Sequence, residues 1–260
     1  MIYTLVVVYN KKCEDSHAIC SLRKRKACEN MQCIVYDNST EEYGNAAFCD
    51  KHQFLYYGQG YNVGLSKAYN FVINTLKEKK GFLLILDDDT ELTEEFFEEL
   101  NKIEQDEAPG ICVPVVMADT FILSPSMVKF KSGSATIRSV DDLRMDRITA
   151  INSGMVVNLN VYDRIHYNED LFLDCVDHEF MRQARLNSIP IYVMQSSIQQ
   201  NYSRNERTEL SQALKRFYIY KRDFRTYSKE CNGMLFYYAS ILKLRLCNSI
   251  KYRTTAFLHG

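Results

Sequence analysis

The 260-residue chain predicts an α/β fold: a mostly parallel, doubly wound sheet, a mixed second half and a helical C-terminal tail. Three observations carry this. Apolar, β-branched runs alternate with helical segments through the first 90 residues, the rhythm that builds parallel strands covered by helices. Past residue 111 the runs become short strands without intervening helices, as in antiparallel or mixed pairing. From about residue 210 onward the pattern is helical throughout.

Residues 2–8 are a continuous apolar run ending at Tyr9-Asn10, as expected of a strand buried on both faces. A helix is predicted over 15–29. A second strand, 32–37, closes in the turn-prone Asp37-Asn38-Ser39-Thr40, and a third covers 54–57. Apolar residues at 65, 68, 69, 72, 73 and 76 repeat at i, i+3, i+4, which places an amphipathic helix from Gly64. The most apolar run, 82–86, stops at Asp87-Asp88-Asp89. Strands are then predicted at 111–116, 120–123, 136–139, 148–151, 155–159 and 191–194, with a helix over 176–186 and tail helices over 210–227 and 234–247. In a doubly wound sheet ligands collect beyond the carboxyl ends of the strands. Tyr9-Asn10, Asp37-Asn38-Ser39 and Asp87-Asp88-Asp89 each follow a strand, so they are expected to converge on one cleft.

Composition excludes disorder and low complexity: 46% of residues are hydrophobic and 25% charged. The net charge of −1 offers no field for a nucleic-acid partner. It is unevenly spread, since twelve basic and four acidic residues from Arg204 onward make the tail +8 and leave −9 before it. The nine cysteines show no C-x-x-C pair and follow no apolar leader, so they read as reduced thiols of a cytoplasmic protein. Cys13, Cys20 and Cys28 are spaced as on a helix; small buried hydrophobes explain them better than a metal face. No run is long enough for a transmembrane helix.

Two acidic clusters carry chemistry. Two carboxylates at i and i+2 beyond a buried strand can turn toward Mg²⁺ or Mn²⁺, which takes one or two carboxylates plus ligand phosphate oxygens. The alternative is a solvated helix start, with Thr93 as cap and Glu94 and Glu95 in the first turn. The second cluster surrounds Asp174, Asp177 and Glu179. Asp177 serves either as a helix-terminus partner or as a general base. His178 reads as a helix-surface residue.

Together these segments resemble the family 2 inverting glycosyltransferases of GT-A fold, and within them the bacterial rhamnosyltransferase-like branch. The matching pieces are Val7-Val8-Tyr9-Asn10, Val35-Tyr36-Asp37-Asn38-Ser39, Asn62-Val63-Gly64-Leu65, Leu86-Asp87-Asp88-Asp89-Thr90, Asn152-Ser153-Gly154, Leu171 through Phe180, and Arg216 through Arg222. The resemblance implies a Rossmann-like nucleotide-binding half and a mixed acceptor-side half. By it, Tyr9 and Asp37 hold the base of a UDP- or dTDP-linked sugar, Asn62 and Gly64 lie beside the nucleotide, and Asp87 and Asp88 belong to the donor site. Asp89 reaches the metal and Asp177 is the catalytic base. The acceptor is a carbohydrate or lipid-linked saccharide of surface-polysaccharide assembly. The sequence departs from the family at Asp88, where the branch often has Gln, and at Gln199-Gln200-Asn201, where the family commonly supplies a metal-binding His.

The resemblance divides the chain into a catalytic domain, 1–203, and a basic, aromatic extension, 204–260. The last helix is apolar over most of its circumference, with Lys243, Arg245, Lys251 and Arg253 nearby, and suits either the inner face of an anionic membrane or packing on the catalytic domain. Two rival functions share these features: a nucleotidyltransferase, which would more naturally show a glycine-rich phosphate loop after the first strand, and an inactive carbohydrate-binding relative.

Overall fold

The computed structural model describes residues 1–24, 30–106, 110–200 and 209–259. Cys28, Asn201 and the expected domain boundary at 203/204 lie outside them.

The first half follows the predicted alternation. Strands β1 (Ile2–Val8), β2 (Met31–Asp37), β3 (Leu55–Gly58) and β4 (Phe82–Leu86) are separated by helices α1 (His17–Lys24), α2 (Asn45–His52) and α3 (Leu65–Thr75). β1 pairs parallel with both β2 and β4, and β2 with β3. All five residues of β4 are buried, which is why its run is apolar without alternation. Next come β5 (Thr90–Glu91) and α4 (Glu94–Gln105). The Thr93 hydroxyl accepts from the Phe96 N–H at 3.2 Å, so the capping reading is right for 93–95 and leaves the three aspartates to be explained separately.

The second half is mixed. β6 (Ile111–Ala118) is followed by β7 (Phe121–Ser124), β8 (Ser126–Lys129), β9 (Gly133–Ala135), β10 (Ile148–Thr149) and β11 (Met155–Asn158), then α5 (Val176–Leu186) and β12 (Ile191–Gln200). The main sheet runs β3-β2-β1-β4-β11-β6-β12-β5, with β7 on β6, and β10-β8-β9 form a second small sheet. β11 is antiparallel to its neighbours β4 and β6. The strand expected at 136–139 is absent; β9 precedes it, and Ser139 instead caps a short helical turn with the Asp142 carboxylate.

β12 outruns its predicted end at 194 by six residues. Its register shifts between Val193 and Ser197, and it then pairs with β5, setting Gln200 opposite Thr90. The long helices α6 (Leu210–Glu230) and α7 (Met234–Tyr252) complete the chain. Phe224, Tyr227, Tyr237 and Ile241 join one core cluster with Leu5, Ile85, Val157 and Phe180. The tail therefore packs on the sheet, as one of the two expected readings requires.

Candidate functional site

Registers Val8 to Asp37 and Val6 to Leu86 bring the ends of β1, β2 and β4 to the same sheet edge. The three loops beyond them converge as the parallel arrangement demands. The Asn10 N–H donates to the Ser39 hydroxyl at 2.8 Å, and the Asn10 amide oxygen accepts from the Thr40 N–H at 3.1 Å. Tyr9, beside them, is half exposed. Asp37 is buried and braces its loop: Oδ1 accepts from the Ser39 N–H at 2.9 Å, and Oδ2 from Asn45 at 2.8 Å and the Tyr56 hydroxyl at 3.2 Å.

Asn62 and Gly64 shape the entry to α3. The Asn62 Oδ1 accepts from the Gly64 N–H at 2.8 Å, while Asn38 bonds the Val63 N–H at 3.2 Å. Gly64 has φ +87°, and a Cβ there would lie 2.6 Å from the Phe172 ring, so both the backbone and the close approach require glycine. Asn62 also lines an open cleft of about 650 Å³ with Lys67, Phe172 and Arg222. Neither Asp87 nor Asp177 lines that cleft.

The three consecutive aspartates have different surroundings. Asp88 turns to Lys11, 2.8 Å away, and its carbonyl accepts from the Ser16 hydroxyl. Asp87 and Asp89 share the Gln200 Nε2, at 3.0 and 3.4 Å. The pairing of β12 with β5 thus brings Gln200, rather than Gln199, to the acidic turn. Burial, then the neighbouring Asp89, Asp177 and Asp88, push the Asp87 carboxyl up to about 7, against a smaller lowering by Gln200. Burial and Asp88 likewise raise Asp89. Beneath them Thr90 bonds the Ser153 hydroxyl, and the Gly154 N–H donates to the Ile85 carbonyl at 2.9 Å, so Asn152-Ser153-Gly154 supports the acidic turn from below.

Asp177 stands in the first turn of α5, close enough to Asp87 to raise its pKa. Its Oδ1 accepts from the N–H of the next residue, His178, at 2.7 Å, and no side chain caps the start of the helix. Glu179 is structural: it is buried and held by both Arg182 nitrogens at 2.7 and 2.8 Å. His178 is partly buried. Its Nδ1 bonds the buried Thr149 hydroxyl at 2.7 Å and its ring stacks on Tyr227.

Sequence reasoning passed over Asp223. This fully buried carboxylate accepts from the backbone N–H groups of Phe172, Leu173 and Asp174 at 3.1, 2.8 and 3.0 Å with one oxygen, and from Arg222 at 2.9 and 3.0 Å with the other. Arg216 forks onto Asp174, and Arg222 lies over the Phe172 ring at 5.4 Å. Helix α6 therefore clamps the loop that leads into Asp177. The Arg216 and Arg222 motif was a partial signal, but nothing in it marked the aspartate that follows Arg222.

Among the described residues, no three His, Cys, Asp or Glu side chains cluster in a way that could hold a metal ion by themselves. The arrangement does fit a divalent cation shared with ligand oxygens. Burial raises both carboxyls and Asp89 further raises Asp87, and among the described residues the buried Gln200 Oε1 has no hydrogen-bond partner.

A family model described as glycosyl transferase family 2 matches residues 4–154, a span holding Asp37, Asn62, Asp87 to Asp89 and Asn152 to Gly154 but ending before Asp177. No curated protein matches the chain. Among solved structures, S. aureus TarS aligns with TM-score 0.55 at 14% identity over 85% of this chain and 38% of its own. TarS 1–349 in complex with UDP gives TM-score 0.55 at the same identity over 85% and 64%. GalNAc-T7 with UDP, GalNAc and Mn²⁺ gives 0.61 at 11% identity over 77% and 44%. The chain thus spans 38% of the length of the first of these, and likeness at such identities concerns the fold, which is GT-A.

Proposed function

The chain belongs to glycosyl transferase family 2, and from that premise we propose that it is a metal-dependent, inverting glycosyltransferase. In this reading it moves a sugar from a UDP- or dTDP-linked donor to a carbohydrate acceptor, free or lipid-linked, in bacterial surface-polysaccharide assembly. The observation that carries the proposal is the acidic centre, where Gln200 ties Asp87 to Asp89 and Asp177 presses on Asp87. Such a cluster is costly when ionised unless a cation and a phosphate-bearing ligand complete it. The UDP in the TarS 1–349 and GalNAc-T7 structures supports a nucleotide-sugar donor, and the Mn²⁺ in the latter supports the metal.

Roles then follow position. Tyr9 and Asp37 border the base, Asn62 and Gly64 the nucleotide, and Asp87 the ribose side, with Asp88 holding the turn through Lys11. Asp89, with Gln200 as a neutral oxygen donor, would hold Mg²⁺ or Mn²⁺. The cation would supply Lewis-acid stabilisation of the departing diphosphate. The acceptor hydroxyl oxygen forms its bond to the anomeric carbon from the opposite face while the carbon–oxygen bond to diphosphate breaks with its electron pair. Asp177 takes the hydroxyl proton.

The test is nucleoside diphosphate release from a panel of UDP-, dTDP- and GDP-sugars with Mn²⁺ or Mg²⁺. Asp177→Asn should lower kcat by roughly 10²- to 10⁴-fold with donor affinity intact. Donor binding unaffected by a chelator would remove the metal from the scheme, and a loss of stability with unchanged kcat would reduce Asp177 to its helix-terminus role.

A further inference from the structure

One face of α7 is covered by no other described element. Tyr237 and Ile241 are buried against the core, while Leu235, Tyr238, Leu242, Leu246 and Ile250 are exposed, Leu235 at 87% and Ile250 at 78%. At about 100° per residue those five fall within roughly a third of the helix circumference, a continuous apolar stripe. From Cys231 to the end the chain has four Lys and Arg and no Asp or Glu. Lys243 borders the stripe, Lys251 follows its last residue near the end of the helix, and both are exposed.

A second, separate segment has the same character. The turn between β8 and β9 carries Lys129-Phe130-Lys131, all exposed, with Phe130 at 69%. Phe130 stacks on Phe236 of α7 at 5.5 Å, so the turn sits against the N-terminal end of the helix next to Leu235. Both segments set large apolar side chains between cations and carry no carboxylate.

We propose that α7 and the Phe130 turn together form a docking surface for an anionic lipid bilayer, with the apolar stripe and the Phe130 ring entering the headgroup boundary and the lysines facing lipid phosphates. No described helix is long and apolar enough to cross a membrane, so the contact is peripheral. The charge pattern selects lipid over a second copy of the chain. A two-fold antiparallel pairing along a stripe running from 235 to 250 would centre near 242 and 243 and set Lys243 against its own mate. An anionic surface instead neutralises every flanking cation. The surface is independent of the chemistry at Asp87 and stands or falls separately from it.

The experiment is sedimentation of the full chain with vesicles of phosphatidylglycerol and phosphatidylcholine, against vesicles of phosphatidylcholine alone. Binding to the anionic vesicles should weaken as salt is raised. Leu242→Glu with Leu246→Glu, and separately Phe130→Ser, should each reduce it by roughly tenfold or more, with the thermal unfolding midpoint of the leucine pair unchanged because both side chains are exposed. Lys243→Glu with Lys251→Glu should reduce both binding and its salt dependence. Should the leucine pair disturb folding, the Phe130 and lysine variants carry the test. Absence of anionic-vesicle binding, or binding indifferent to all three variants, overturns the proposal. A dimer in solution that the leucine pair dissociates, without vesicle binding, would assign the face to a second copy.

Discussion

Asp87 accepts an amide proton from Gln200 while Asp89 and Asp177 press on it, and its pKa rises from 3.8 to about 7. Between those two values the folded chain holds a proton that the unfolded chain has released. Stability is therefore greatest below the unfolded value and falls as pH rises toward 7, levelling off above it. Asp87→Asn removes this loss, so from pH 5 to pH 8 the cation-free wild type should lose roughly 1–2 kcal/mol relative to the variant, a figure discounted because part of Asp87 reaches solvent. Urea unfolding at the two pH values checks it, and parallel curves would show that Asp87 titrates normally. Asp87, Asp89 and Asp177 were legible because each lies just beyond a strand or at a helix start. Gln200 could not be separated from Gln199 and Asn201, since the choice depends on a register shift in β12 that local sequence does not encode. Asp223 was invisible for a similar reason: its partners are backbone N–H groups about fifty residues away, and a buried acid in a helix reads like an exposed one.

At the scale of elements, α6 governs the loop before α5. Asp223→Ala would leave three part-buried N–H groups without their acceptor, at a cost of roughly 1–3 kcal/mol or more. The variant should unfold earlier and, where still folded, lose kcat more than donor affinity, because the loosened loop carries Asp177 and not the turn of Asp87 to Asp89. Thermal unfolding together with a kcat and KM comparison reads both effects; a normal midpoint and normal kcat would show that α6 does not position the loop. Strong hydrophobic patterns made β1, β4, α3 and α5 legible. Helix α2 was missed, because the apolar residues of its sequence Asn-Ala-Ala-Phe-Cys-Asp-Lys-His are consecutive and form no helical face, and its start is set by Gly44 at φ +74°. The end of β12 was misplaced because its last residues, Ser196 to Gln200, are mostly polar and are held in the strand by β6 and β5.

For the whole molecule, the alternation of runs was sufficient for the fold class, but the tail's two faces gave sequence reasoning two answers. The structure separates them by face. Tyr237 and Ile241 enter the main core, Phe257 packs between Phe217 and Tyr252, and Phe236 lies against Gly133 where a Cβ would stand 2.6 Å from its ring. A chain ending at Glu230 would lose these contacts and bare Phe224 and Tyr227, both nearly fully buried. Burying one large apolar side chain contributes roughly 1.5–3 kcal/mol, so Tyr237, Ile241 and Phe257 together account for about 4–9 kcal/mol. That is an upper figure, since unfolded chains already hide some apolar surface, yet it rivals the roughly 5–15 kcal/mol by which domains are stable. The truncated chain should therefore be insoluble or lack a cooperative unfolding transition. The leucine-pair variant, altered only on the outer face, should unfold like the wild type. Circular dichroism melts of the two chains side by side make the comparison. A cooperative, undiminished melt from the chain ending at Glu230 would show that α7 rests on the core without completing it.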